Sequence, residues 1–122
     1  MKKILFIALL SAAFLPLAAQ EVVDLSGQGP GVKEISVTNE GFDYMPKEIR
    51  VKKGDTIRLT YTNGGGFHDW VLDEFDAATK QIPGGRSETI EFVADRSGEF
   101  EFYCSVGNHR ARGMWGKFIV VE

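Results

Sequence analysis

Apolar residues return at every second position through most of this chain. Ile35 and Val37 alternate with polar neighbours, and so do Ile49 and Val51. Ile57, Leu59 and Tyr61 share one parity, while Arg58, Thr60 and Thr62 share the other. Ile90 and Phe92 repeat the pattern, and Phe100, Phe102 and Cys104 alternate with Glu99, Glu101 and Tyr103. Side chains two apart on a strand point the same way, so this period belongs to strands with one buried face. Phe118 to Val121 is a more continuous apolar run. Turn-forming clusters separate the runs at Lys53-Gly54-Asp55, Asn63 to Gly66, Pro83-Gly84-Gly85 and Ser97-Gly98. No segment carries a convincing helical period, although Asp73 to Lys80 has room for one helical turn. Several short strands at this spacing predict an all-β fold, a two-sheet sandwich. There is no internal repeat and no low-complexity tract.

The first residues are patterned differently. Lys2 and Lys3 precede an apolar stretch from Ile4 to Leu17, interrupted only by Ser11 and Pro16, and Ala18-Ala19 follow. This is the three-part pattern of a secretory signal, with cleavage expected after Ala19. The competing reading is a membrane anchor, but the apolar run is short for a bilayer and no second run follows. No cysteine lies near the cleavage site to carry a lipid. The expected organisation is a signal peptide at 1–19, a flexible lead-in at 20–32 containing Gly27, Gly29, Pro30 and Gly31, and one domain at 33–122. About a hundred residues suit a single domain with a real core. The formal net charge of the whole chain is -3. The signal holds lysines and no acids, so the remainder is more acidic still. That balance argues against a nucleic-acid partner and against docking on anionic lipid.

Cys104 is the only cysteine, and His68 and His109 are the only histidines. One thiol cannot form an internal bridge. In an oxidising compartment it needs a role, either as buried filler or as a metal ligand. If Phe100 and Phe102 fill the core, parity turns Cys104 inward at the end of their strand. A loop from Ser105 to Met114 follows and contains His109, so a thiol, an imidazole and a thioether lie close in sequence. His68 lies far upstream, after Gly64-Gly65-Gly66 and before the apolar Trp70 to Leu72. Taken singly, each has an ordinary reading: Cys104 as filler, His109 as a loop residue, Met114 and Trp115 as core, His68-Asp69 as a polar pair. Together they match a blue-copper site, which uses two imidazoles, a thiolate and a distant thioether. Cu(I) prefers soft sulfur and Cu(II) prefers nitrogen. A mixed set on a stiff sandwich suits both, so little moves when an electron arrives and the barrier to transfer is small.

At these residues the chain resembles the cupredoxin family. The stretch Tyr-Cys-Ser-Val-Gly-Asn-His-Arg-Ala-Arg-Gly-Met-Trp-Gly, residues 103–116, looks like the family's ligand loop. Its spacing is similar to the auracyanin and rusticyanin type. The stretch Phe-His-Asp-Trp-Val-Leu, residues 67–72, resembles the strand of the first histidine, and Phe42, Tyr44 and Pro46 resemble an early aromatic-proline segment. The likeness covers roughly Lys33 to Glu122. It implies a two-sheet Greek-key β-sandwich holding one type 1 copper ion. It makes His68, Cys104 and His109 the strong ligands and Met114 the weak axial one, with the Phe67 carbonyl a distant neighbour. It implies a buried His68 and a His109 with one ring edge at the surface. Asp69 stands where plastocyanin-type members carry Asn, whose side chain there ties to the residue after the cysteine, here Ser105.

The function this implies is exported, periplasmic single-electron transfer by a monomer between redox-protein partners docking near His109. Gly64 to Gly66, Gly113 and Gly116 would leave that exit open, with Arg110 and Arg112 flanking it. No catalytic residues are expected. The alternatives are a carrier or buffer that delivers copper, and a metal-free interaction module. A Cys-His-Asp nucleophile lacks an evident oxyanion donor. Zinc would call for further hard or thiolate ligands. A copper nitrite reductase or oxidase needs a second copper centre, for which no histidine is left.

Overall fold

The computed structural model describes residues 21–122. The signal expected at 1–19 lies outside these residues. The described residues form β1 (Val22–Asp24), β2 (Val32–Glu40), β3 (Asp43–Met45), β4 (Glu48–Lys52), β5 (Thr56–Thr62), β6 (Phe67–His68) and β7 (Val71–Leu72). A 3₁₀ turn at Asp73–Phe75 follows, in the one stretch expected to hold a helical turn. Then come β8 (Ala77–Ala78), β9 (Ile82–Pro83), β10 (Ser87–Val93), β11 (Gly98–Tyr103) and β12 (Trp115–Val121).

These strands make the predicted two-sheet sandwich. One sheet has the order β1-β4-β12-β11-β7-β8 and the other β10-β5-β2-β3. β6 and β9 pair separately as a short ribbon. Alternation decides what goes inside. β2 buries Lys33, Ile35, Val37 and Asn39 and exposes the residues between them, apart from a half-buried Thr38. β5 buries Ile57, Leu59 and Tyr61, and β12 buries Gly116, Phe118 and Val120. The two inner faces meet in one core. Tyr44 of β3 lies edge-on to Phe102 of β11 at 5.4 Å, and Phe92 of β10 meets Phe118 of β12 at 5.6 Å. Trp70 stacks on both Phe102 and Phe92 and is completely buried. Such aromatic pairs each add about 0.5–1.5 kcal/mol beyond area burial.

Alternation does not disclose which strands pair. β2 lies parallel to β5, and β4 lies parallel to both β1 and β12. The described part of the expected lead-in, residues 21–32, also differs from a flexible segment. Residues 22–24 form β1, Leu25 N–H donates to the Arg50 carbonyl at 2.8 Å, and Leu25 packs against the core. The Gly29 carbonyl accepts a hydrogen bond from Lys33 Nζ at 2.7 Å, and that buried ammonium also meets Asp55 at 3.2 Å. Glycine content suggests freedom, but backbone pairing to a sheet edge leaves no mark on composition.

Gly116 is placed by this packing. It lies opposite Phe102 in the β11–β12 pair, and a Cβ there would fall 2.2 Å from the Phe102 ring and 2.4 Å from the Lys47 carbonyl. The residue is therefore a packing requirement and does not open a docking face. Gly116→Ala is expected to lower stability by about 1–3 kcal/mol, the usual cost of overpacking. Urea denaturation measures this, and an unchanged midpoint would mean that the ring and carbonyl move aside freely.

Candidate metal centre

Cys104 follows the last residue of β11 and keeps that strand's inward parity, so its thiol is buried behind Phe102. Its N–H donates to the Met114 carbonyl at 3.1 Å, and Met114 N–H donates to the His109 carbonyl at 3.0 Å. These bonds close the loop between β11 and β12 and fold His109 back over Cys104. Met114 is fully buried. His68 comes from β6, in the short ribbon that β6 forms with β9.

The three side chains converge. Cys104 Sγ lies 3.5 Å from His109 Nδ1 and 3.8 Å from His68 Nδ1, and the two Nδ1 atoms are 3.0 Å apart. His68 is buried, whereas His109 is half-exposed. Both imidazoles therefore turn the same nitrogen toward one thiol, in a buried place without a carboxylate among the donors. Soft sulfur beside imidazole nitrogens suits copper, and hard cations would demand oxygen.

The surroundings fix these groups. Asp69 is buried and accepts from Ser105 N–H at 2.7 Å and from the Ser105 hydroxyl. The carboxylate thus makes the tie expected between residue 69 and the residue after Cys104. Tyr44 donates its hydroxyl to the Asp69 carbonyl. Burial, and then the adjacent His109 ring, holds His68 below the ordinary imidazole value; the Gly65 backbone and the Asp69 carboxylate pull the other way. Burial pushes the Cys104 thiol up, opposed by backbone hydrogen bonds from Asp69 and Val106.

Around the half-exposed edge of His109 lies an apolar depression of about 570 Å³, lined by Phe42, Gly65, Phe67, Val106 and the two histidines. The Phe42 ring sits 4.9 Å from the His109 ring, and the Arg112 guanidinium lies 5.2 Å from Phe42. Arg110 is engaged elsewhere, paired with Glu101 at 2.6 Å and lying 3.8 Å over the Tyr103 ring. Gly64 is closed to substitution, since a Cβ would fall 2.1 Å from the Asn39 carbonyl. Of the glycine triplet, only Gly65 has open space beside it.

The Cupredoxin-like domain model matches residues 5–120. This chain belongs to the cupredoxin family. Among relatives, this cupredoxin is 31% identical over 103 residues to a halocyanin of Natronomonas pharaonis, covering 82% of the chain and 61% of the halocyanin. It is 27% identical over 104 residues to the copper-resistant cuproprotein CopI of Rubrivivax gelatinosus, covering 69% of the chain and 63% of that protein. The chain thus spans under two thirds of the length of both relatives. Among solved structures, reduced auracyanin of Roseiflexus castenholzii superposes with a TM-score of 0.66 at 28% identity, over 73% of this chain and 97% of the auracyanin. The two imidazoles and the thiol of this cupredoxin fit a type 1 copper ion.

Two residues near the site escaped motif reading. Asn39 and Asn63 are buried and hydrogen-bond to the Gly64–Gly66 turn. The signal was parity, because both continue the inward series, Ile35-Val37-Asn39 and Leu59-Tyr61-Asn63. A polar residue at an inward position is one that needs partners.

The lowered His68 value has a sign that can be measured without metal. Between the ordinary 6.5 and the lowered folded value, the unfolded chain binds more protons than the fold. Stability of the metal-free protein therefore falls as pH drops through that window. For Cys104, raised from 9.0, the fold holds its proton longer, so stability falls as pH climbs above that value. His68→Asn is expected to flatten the acid slope, read by urea denaturation at neutral and mildly acid pH. Equal slopes in both proteins would remove His68 as the cause.

Proposed function

We propose that this cupredoxin is an exported single-electron carrier in which His68, Cys104 and His109 hold one type 1 copper ion and Met114 is its weak axial ligand. The observation that carries this is the approach of two Nδ1 atoms to one buried thiol. Bound copper supplies a one-electron couple between Cu(I) and Cu(II). The chain supplies the rest. Cys104 Sγ gives up its proton on loading, against the burial that raises its pKa. Burial holds His68 below the ordinary imidazole value, which favours the neutral ring that offers Nδ1. Backbone hydrogen bonds among Cys104, His109 and Met114 brace the loop, which would limit its movement on a change of oxidation state. Core packing excludes water from the sulfur.

Export rests on the lysine, apolar and small-residue order of residues 2–19. Among the described residues no helix is long and apolar enough to cross a membrane. A redox partner would dock on the apolar depression at His109, where the ring edge reaches solvent. Arg112, at the rim over Phe42, would favour an acidic group on that partner. The likeness to a copper-resistant cuproprotein supports a second reading, a copper buffer. Reversible oxidation and reduction by a partner protein, without loss of the ion, separates the two.

Copper-loaded, oxidised protein is expected to show an intense visible thiolate-to-copper band. Cys104→Ser should abolish it in a folded protein, and Met114→Leu should keep copper while raising the potential. Absence of the band in loaded wild type would overturn the ligand assignment. Copper loss in Met114→Leu equal to that in Cys104→Ser would make Met114 a principal ligand.

Docking is tested by electron-exchange rates with an acidic redox partner at several ionic strengths. Arg112→Glu should slow exchange at low salt and flatten the salt dependence. Arg110→Glu should matter less, since that charge is already paired with Glu101. Identical salt slopes for wild type and Arg112→Glu would exclude steering by Arg112.

A further inference from the structure

Asn39 sits at the end of β2, buried to 3% exposure, with four hydrogen bonds. Its Oδ1 accepts from the Tyr61 hydroxyl at 2.6 Å and from Gly64 N–H at 2.9 Å. Its Nδ2 donates to the Gly41 carbonyl at 3.0 Å and, more weakly, to the Gly65 carbonyl at 3.4 Å. The two acceptors lead to different histidines. The Gly65 backbone lies close enough to the His68 ring to oppose the lowering of its pKa. Gly41 precedes Phe42, whose ring rests against His109 at 4.9 Å. Asn63, just after the neighbouring strand β5, accepts from Gly65 N–H at 3.0 Å and donates to the carbonyls of Gly66 and Ile82 at 3.0 and 2.7 Å.

The glycines allow the fit. Gly65 and Gly66 have φ of +154° and +81°, and a Cβ on Gly66 would fall 2.8 Å from His68 Nε2. The turn therefore lies directly on the outer nitrogen of His68 while Nδ1 faces Cys104. A ligand imidazole whose second nitrogen is held by a fixed acceptor has one tautomer and one orientation. Glycine alone cannot hold that acceptor still, because its backbone is the most permissive of all residues.

From this network we infer that Asn39, assisted by Asn63, is a positioning residue for both histidines of the copper site. Its amide fixes the Gly65 carbonyl behind His68 and the Gly41–Phe42 corner against His109. This rests on the ligand reading above and adds a role for a residue remote from the metal. Tyr61 is part of the same clamp, since its hydroxyl donates to Asn39 Oδ1, orients the carboxamide and leaves Nδ2 aimed at the two turns.

The test uses wild type, Asn39→Ser and Asn39→Ala, with a readout in the metal-free protein. Nitrogen NMR of the imidazoles should find wild-type His68 in a single tautomer, protonated at Nε2. The variants should show a mixture of tautomers. In the copper-loaded proteins the thiolate band and the electron-spin resonance pattern should shift, and copper affinity should fall roughly 10- to 100-fold. If Asn39→Ala does not fold, Asn39→Ser and the wild-type tautomer still decide. A wild-type His68 protonated at Nδ1 overturns the inference, as does a destabilised but folded variant with unchanged tautomer, spectrum and affinity. A missing thiolate band in loaded wild type sinks the ligand reading instead, and the metal-free tautomers then judge the clamp separately.

Discussion

The antiparallel pairing of β11 with β12 is the constraint on which the rest of the molecule depends. Its register sets Phe102 against Gly116 and Tyr103 against Trp115, and the next rung is the bond from Cys104 N–H to the Met114 carbonyl. A loop of nine residues is thereby closed at its base, and its shape is no longer left to chain entropy. The same register turns Phe102 and Phe118 into the core, where they meet Tyr44, Trp70 and Phe92. Stability and site geometry therefore share one cause. A shift of one residue would expose the aromatic face and turn the thiol outward together.

His68 reaches the thiol from a different part of the chain, so the pairing of β11 and β12 cannot place it. Two side-chain links do so. Asp69 holds the backbone and hydroxyl of Ser105, joining the residue after one donor to the residue after the other. Asn39 and Asn63 hold the turn against the outer edge of the His68 ring. Each link is a buried polar group with its partners supplied by protein. Such groups cost free energy when left unpaired, so the arrangement resists slippage in either direction.

Strand existence and the candidate cluster of His68, Cys104 and His109 were legible in the sequence because both follow from local pattern. Period two placed Ile57, Leu59 and Tyr61 inside, and it pointed Cys104 inward at the end of its run. It could not say that β2 pairs with β5 in parallel, because pairing partners leave no mark on either strand's alternation. The glycines show the same limit. Gly64 and Gly116 look like open ground near a loop, yet each is demanded by a carbonyl or a ring brought from elsewhere in the fold. Arg110 and Arg112 look equivalent in sequence, and only the fold gives Glu101 and Tyr103 to the first and Phe42 to the second.

Burial sets the protonation states of the metal-free site in opposite chemical directions toward the same end. It lowers His68, keeping an imidazole neutral, and it raises Cys104, keeping a thiol neutral. His68 and Cys104 are thereby both biased toward their uncharged forms, so the apolar surroundings that exclude water have less charge to tolerate. Loading changes only one of the two groups, since a neutral imidazole is already the binding form and the thiol alone must lose a proton. The fold can thus be complete before the ion arrives. Asp69, the nearest carboxylate, is spoken for by both hydrogen-bond donors of Ser105, which spreads its negative charge onto the loop. What remains to the exposed edge of His109 is an apolar surface, flanked by the Arg112 guanidinium over Phe42, which makes no ion pair among the described residues.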